Sequence, residues 1–169
     1  YPDDGLLLLY NRYDSRNKVP VELECRSVII DKNTLDIVCY TCPTPIYNLD
    51  AVNYMIRHPN QKKQIFLCYE GSLLSLFNHN NKWYLSSRRC LDSKESVIED
   101  KSHYDMFMEV LEQDGYGSLE DFTKFLDPNL SYHFVLIHHH NKNIIDYSEQ
   151  FEDEYKKLCF IFARDKTTQ

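Results

Sequence analysis

Runs rich in β-branched and aromatic residues make up most of this chain, and apolar residues at helical spacing are confined to two inserts. Leu6 to Tyr10 reads as a short strand and Tyr13-Asp14-Ser15-Arg16-Asn17 as a loop. Leu23 to Asp31 and Leu35 to Thr41, joined by Asp31-Lys32-Asn33-Thr34, predict a hairpin, and Pro43 and Pro45 end its pairing. Leu49, Val52, Met55 and Ile56 predict a helix from Leu49 to His58, stopped by Pro59. Strands are expected at Gln64–Tyr69, Ser72–Phe77 and Lys82–Ser87. The last two are linked by Asn78-His79-Asn80-Asn81, residues that tolerate a left-handed backbone. Tyr104, Phe107, Met108 and Leu111 give an amphipathic helix over Lys101–Gln113. Ser118 with Asp121 resembles a capping box for another helix, Leu119 to Leu126, closed by Pro128. Tyr132–His138 and Lys157–Ala163 complete the strands. Strands with grouped helices, rather than βαβ alternation, predict an α+β fold of antiparallel sheets with inserted helices.

Composition sharpens this picture. A length of 169 residues with 43% hydrophobic and 14% aromatic content predicts one packed domain over residues 1–169. Net charge is −7, which argues against nonspecific duplex binding through phosphate neutralisation, although a local basic cluster can still hold a phosphate. The apolar run Leu6–Leu9 is too short for a signal peptide or a membrane span, so no membrane partner is expected. The chain starts without Met and stops soon after a strand-like segment, as a piece of a longer protein would. Six dispersed cysteines fit a reducing, cytoplasm-like compartment, and Cys39-x-x-Cys42 lacks the second pair that a zinc site needs. On a strand only His138 and His140 of the run His138-His139-His140 share a face, so an exposed strand end is expected there and no metal site.

The candidate chemistry lies in Leu67-Cys68-Tyr69-Glu70-Gly71-Ser72-Leu73-Leu74-Ser75-Leu76-Phe77. This stretch resembles the K-x-D-G active-site strand of covalent nucleotidyltransferases, whose lysine amine attacks the α-phosphate of a nucleotide. Here Cys68 falls on the lysine, and Glu70, Gly71 and Ser72 fall on the acid, the glycine and the serine. Leu23-Glu24-Cys25-Arg26-Ser27-Val28-Ile29-Ile30 is similar to an L-E-C-R-G strand, and Pro45-Ile46-Tyr47-Asn48 to K-F-F-N. Trp83-Tyr84-Leu85-Ser86-Ser87-Arg88-Arg89-Cys90 looks like F-F-K-S-K-G-S, with two lysines falling on Ser86 and Arg88. Phe134-Val135-Leu136-Ile137, followed by His138-His139-His140-Asn141-Lys142, is similar to F-E-F-V-S-P-T-N-R, with a functional glutamate falling on Val135.

Together these blocks resemble the RNA ligases of T-even bacteriophages and their viral relatives, over roughly Leu6 to Arg164. The resemblance implies a ligase adenylation-domain-like fold and assigns Arg26 to ATP phosphate contact. The family's later acidic and K-x-K blocks have no counterpart before Gln169. A thiolate is a nucleophile in principle, but its side chain is several heavy atoms shorter than lysine's, and in-line attack tolerates little misplacement. Losing the nucleophile at Cys68 and the glutamate at Val135 predicts a catalytically degenerate domain, kept as a binding or structural module beside other protein subunits. Arg26, Glu70, Gly71, Ser72 and Arg88 are its candidate phosphate-binding residues. Read from spacing alone, Arg26 is equally a surface strand residue paired to an acid, Glu70-Gly71 a strand-end turn and Arg88-Arg89 a solvated hairpin end.

No cofactor is expected, and RNA or nucleotide binding would be weak. A viral origin would place the domain in the host cytoplasm or the virion. One rival is an active ligase using ATP and Mg with a nonstandard nucleophile or with the missing blocks supplied elsewhere. The other is a structural virion subunit without a ligand.

Overall fold

The computed structural model describes residues 4–11, 19–141 and 145–167. The chain runs β1 (Leu6–Tyr10), α1 (Pro20–Glu24), β2 (Arg26–Asp31), β3 (Ile37–Tyr40), α2 (Asn48–Arg57), β4 (Ser72–His79), β5 (Lys82–Ser87), β6 (Val97–Ile98), β7 (Lys101–Ser102), α3 (His103–Gln113), α4 (Leu119–Thr123), β8 (Leu130–His138), α5 (Ser148–Phe151) and β9 (Lys156–Asp165). The architecture is α+β. Two antiparallel sheets, ordered β1-β2-β3 and β5-β4-β8-β9, are accompanied by a small β6-β7 ladder.

Side chains alternate across the four-stranded sheet and so build two different faces. Leu74, Leu76, Leu85, Phe134 and Leu136 pack on Met106, Phe107, Val110 and Leu111 of α3 and on Leu119 of α4. On the other face Phe77 and Tyr84 meet Leu6, Ile29, Val38 and Cys39 of the three-stranded sheet. Beside them lies a buried polar layer in which the His133 ring bridges Ser75 Oγ at 3.0 Å and Ser131 Oγ at 3.1 Å. The turn between β4 and β5 forms as its sequence predicts, with Asn80 and Asn81 at φ of 50° and 63° and His79 paired to Lys82.

Several expected boundaries need correction. The segment expected to be a strand from Leu23 begins at Arg26, because Pro20 starts a short helix that Cys25 closes by donating its N–H to Val21 O. The hairpin's second strand is confined to Ile37–Tyr40. Lys101 and Ser102 form β7, and α3 starts at His103 once the Ser102–Asp105 capping box satisfies its first amides. After Thr123 the last turn of α4 tightens to i→i−3 bonds, from Phe125 N–H to Phe122 O and from Leu126 N–H to Thr123 O. Gln64–Tyr69 forms no strand at all. Ile65, Phe66 and Leu67 are 98%, 75% and 79% exposed, and no neighbouring strand among the described residues takes up their backbone groups. Helix α2 forms as its spacing predicts yet buries none of its residues. The loop expected at Tyr13–Asn17 lies outside the described residues.

Where β1 pairs with β2, the register jumps from Leu9↔Val28 to Tyr10↔Arg26, leaving Ser27 as the extra residue of a bulge at φ 64°. That backbone favours glycine, the residue found in the L-E-C-R-G pattern, and here it carries a buried side chain whose Oγ has no hydrogen-bond partner. Ser27→Gly is therefore expected to stabilise the protein by ~1 kcal/mol, read as a higher urea midpoint at unchanged slope. An unchanged or lower midpoint would show that the bulge carries no strain.

Candidate phosphate-binding cleft

A cleft of about 380 Å³ opens between the two sheets and the start of α3. It is lined by Arg26, Gly71, Ser72, Leu73, Ser87, Arg88, Arg89, Ser96, Ile98 and His103. Among the described residues its walls carry three arginines and no carboxylate, in a protein of net charge −7. A guanidinium offers paired donors in a plane that matches a phosphate. Arg26 arrives at the first position of β2, with its carbonyl held by Thr41 Oγ1 at 2.6 Å. Arg88 follows the end of β5, and its Nη2 donates to Asn11 Oδ1 at 3.2 Å.

Gly71 sets the floor. A Cβ there would stand 2.3 Å from Leu136 O and 2.7 Å from Val135 Cγ1, so only glycine lets this backbone press against β8. Ser72, fixed by that contact at the head of β4, shares a hydrogen bond of 2.8 Å between its Oγ and His103 Nε2. Asn141 Nδ2 donates to the same Oγ at 2.9 Å. The other ring nitrogen of His103, Nδ1, lies 2.8 Å from Ser96 O and must carry the proton, which leaves Nε2 as the acceptor. Burial lowers the pKa of His103 below the ordinary histidine value.

The structure thus brings Arg26, Gly71, Ser72 and Arg88 together, and it leaves Cys68, Glu70 and Val135 out of the cleft wall. Cys68 is exposed, on the unpaired 64–69 segment. The Glu70 N–H donates to Tyr147 Oη at 2.7 Å, and Oε2 accepts from Ile145 N–H at 2.8 Å, tying Glu70 to the segment that leads into α5. Val135 packs with the cluster of Ile137, Tyr147 and Tyr155. Sequence reasoning missed His103, and it quoted Asn141 in a resembling block without giving it a role at the site. The Ser102-x-x-Asp105 capping pattern was the one local signal that could have placed His103 at a helix start.

The histidine run also differs from expectation. His138 is fully buried rather than part of an exposed strand end. Its Nδ1 accepts from His140 N–H at 3.1 Å, so Nε2–H points to Glu109 Oε2 at 3.2 Å. Glu109 also holds Lys101, and Lys156 at 2.8 Å. Burial works against the charged carboxylate, but the bonds from Lys101, Lys156 and His138 outweigh it and hold Glu109 at a pKa of about 2. Donor atoms of Glu109, His138 and His139 fall within 4.8 Å of one another, as a metal site requires. Two ammonium groups already neutralise that carboxylate, so the cluster reads as a clamp joining β7, α3, β8 and β9.

Over 176 aligned positions, 98% of this chain, it is 23% identical to the "Putative bifunctional polynucleotide kinase/RNA ligase" of Autographa californica nuclear polyhedrosis virus. The chain is distantly similar to a viral RNA ligase. It spans 24% of that relative's length. No protein-family model matches it. Among the described residues no helix is long and apolar enough to cross a membrane.

Proposed function

We propose that this chain is a single RNA-ligase-like nucleotidyltransferase domain, viral in origin, that has lost nucleotidyl transfer and serves as a binding or structural module within a larger assembly. The observation that carries this reading is the separation of Cys68 from the arginine-lined cleft. The thiol standing at the nucleophile position is exposed and lies outside the wall formed by Arg26, Ser72 and Arg88. Lysine serves such chemistry because burial and nearby cations leave its amine deprotonated. An exposed, short-armed thiol has neither that environment nor that reach. Val135, standing at the glutamate position, is packed among aromatic rings and offers no ionisable group.

Incubation with labelled ATP or GTP and Mg is accordingly expected to leave no nucleotide on the protein. Where lysines and a glutamate have been replaced, each charge-assisted hydrogen bond that can no longer form weakens binding by ~1.5–3 kcal/mol, and about 1.4 kcal/mol is a tenfold change in affinity. No low-micromolar nucleotide binding is expected by calorimetry. An intact-mass adduct of one NMP that maps to Cys68 would overturn the proposal in favour of an active ligase with a cysteine nucleophile. A tight nucleotide complex abolished by Arg26→Ala would restore a nucleotide-dependent role.

A further inference from the structure

The cleft contains a second potential nucleophile, independent of Cys68. We propose that Ser72 and His103 form a nucleophile–base pair acting on phosphate esters. Ser72 Oγ lies 2.8 Å from His103 Nε2, within the range for proton transfer. Ser96 O fixes the ring from behind by accepting from Nδ1–H at 2.8 Å, the orienting role that a carboxylate fills in a serine–histidine–aspartate triad. Asn141, itself 5% exposed, donates to Ser72 Oγ at 2.9 Å and can stabilise negative charge developing on that oxygen. Neither reacting group is loosely held. Ser72 follows a glycine pressed against β8, and His103 opens a helix fixed by a capping box. Both line the cleft.

The walls also indicate the substrate class. Among the described residues three arginines and no carboxylate line the cleft, a lining that suits a phosphate, and no Phe, Tyr or Trp lines it to stack a nucleobase. In the reaction Ser72 Oγ attacks phosphorus and its proton passes to His103 Nε2. The ester P–O bond breaks, and the leaving alkoxide takes that proton to depart as an alcohol. Water, deprotonated in turn by His103, then attacks the phosphoserine, releasing phosphate and returning the proton to Ser72. Burial holds the pKa of His103 below its ordinary value, which favours the neutral ring whose Nε2 can accept the Ser72 proton.

The test uses an alkyl fluorophosphonate, from which Ser72 would displace fluoride, together with p-nitrophenyl phosphate and p-nitrophenyl acetate. The expected results are a single adduct that maps to the Ser72 peptide of the wild-type protein and faster consumption of the phosphate ester than of the acetate. Ser72→Ala should abolish both reactions. His103→Gln should slow labelling ~100-fold or more, with folding of each variant checked by its denaturation midpoint. Mapping is done on unmutated protein, so a variant that fails to fold leaves the answer intact. No adduct, an adduct at Cys68, or an acetate preferred over the phosphate would overturn the proposal. The nucleotide-transfer experiment reads Cys68 separately, so either conclusion can fail alone.

Discussion

Stability is expected to fall steeply as pH drops from about 6.5 to about 4, driven by two buried histidines. His133 and His138 are both fully buried, and burial is the main cause that brings each pKa from 6.5 down to about 4. Arg164 adds to the effect at His133. At His138 the bond to Glu109 pulls upward without prevailing, while His139 and Lys101 push down. Below pH 6.5 the unfolded chain binds protons at these positions and the folded chain does not, so protonation favours unfolding until pH reaches the folded value. Each group contributes a slope of about 1.4 kcal/mol per pH unit. Together they remove on the order of 5 kcal/mol by pH 4, comparable to the whole stability of a small domain.

Glu109 extends the loss. Its pKa falls from 4.5 to about 2, so its contribution is complete above pH 4.5 and disappears as pH descends toward 2. Urea midpoints at pH 7.5, 6, 5 and 4 would trace this curve. His133→Gln keeps a hydrogen-bonding side chain between Ser75 and Ser131 without a proton to gain, and should remove about half of the slope between 6.5 and 4. A slope unchanged in that variant would show that His133 gains its proton in the folded state at the same pH as in the unfolded chain.

The second large effect concerns Gly71. Adding one methyl group there places it 2.3 Å from Leu136 O. That carbonyl belongs to a strand paired on both sides, with β4 and with β9, and cannot retreat without breaking a ladder. Gly71→Ala is expected to destabilise the protein by ~3 kcal/mol or more, and the shift at the head of β4 should weaken the Ser72–His103 bond as well. Gly117→Ala makes the control, because its nearest neighbour would be Asp121 Oδ2 at an ordinary 3.6 Å. Denaturation of both variants checks this, and equal midpoints would mean that β8 yields at Leu136.

The glycine after Glu70 stood out in the sequence through its place in a motif, but the reason it is needed lies in tertiary contact. The same division runs through the molecule. Features set within a few residues were legible in the sequence. They include the left-handed Asn80-Asn81 turn, the Ser118 cap and the stop before Pro59. Each depends on backbone preference and near-neighbour hydrogen bonds, which the chain carries with it. Gln64–Tyr69 has the composition of a strand, but a strand exists only when another strand takes its backbone bonds, and composition cannot supply that partner. Helix α2 shows the converse, with an apolar stripe that forms a helix and meets no core among the described residues. Sequence comparison grouped Arg26, Gly71, Ser72 and Arg88 by resemblance. Only the packing of two sheets and a helix put them in one cleft, brought His103 to its wall and Asn141 to the Ser72 hydroxyl, and left Cys68 and Glu70 outside. The burial that encloses His133 and His138 and depresses both pKa values is likewise a property of the assembled fold, because it depends on what the rest of the chain brings to cover each ring.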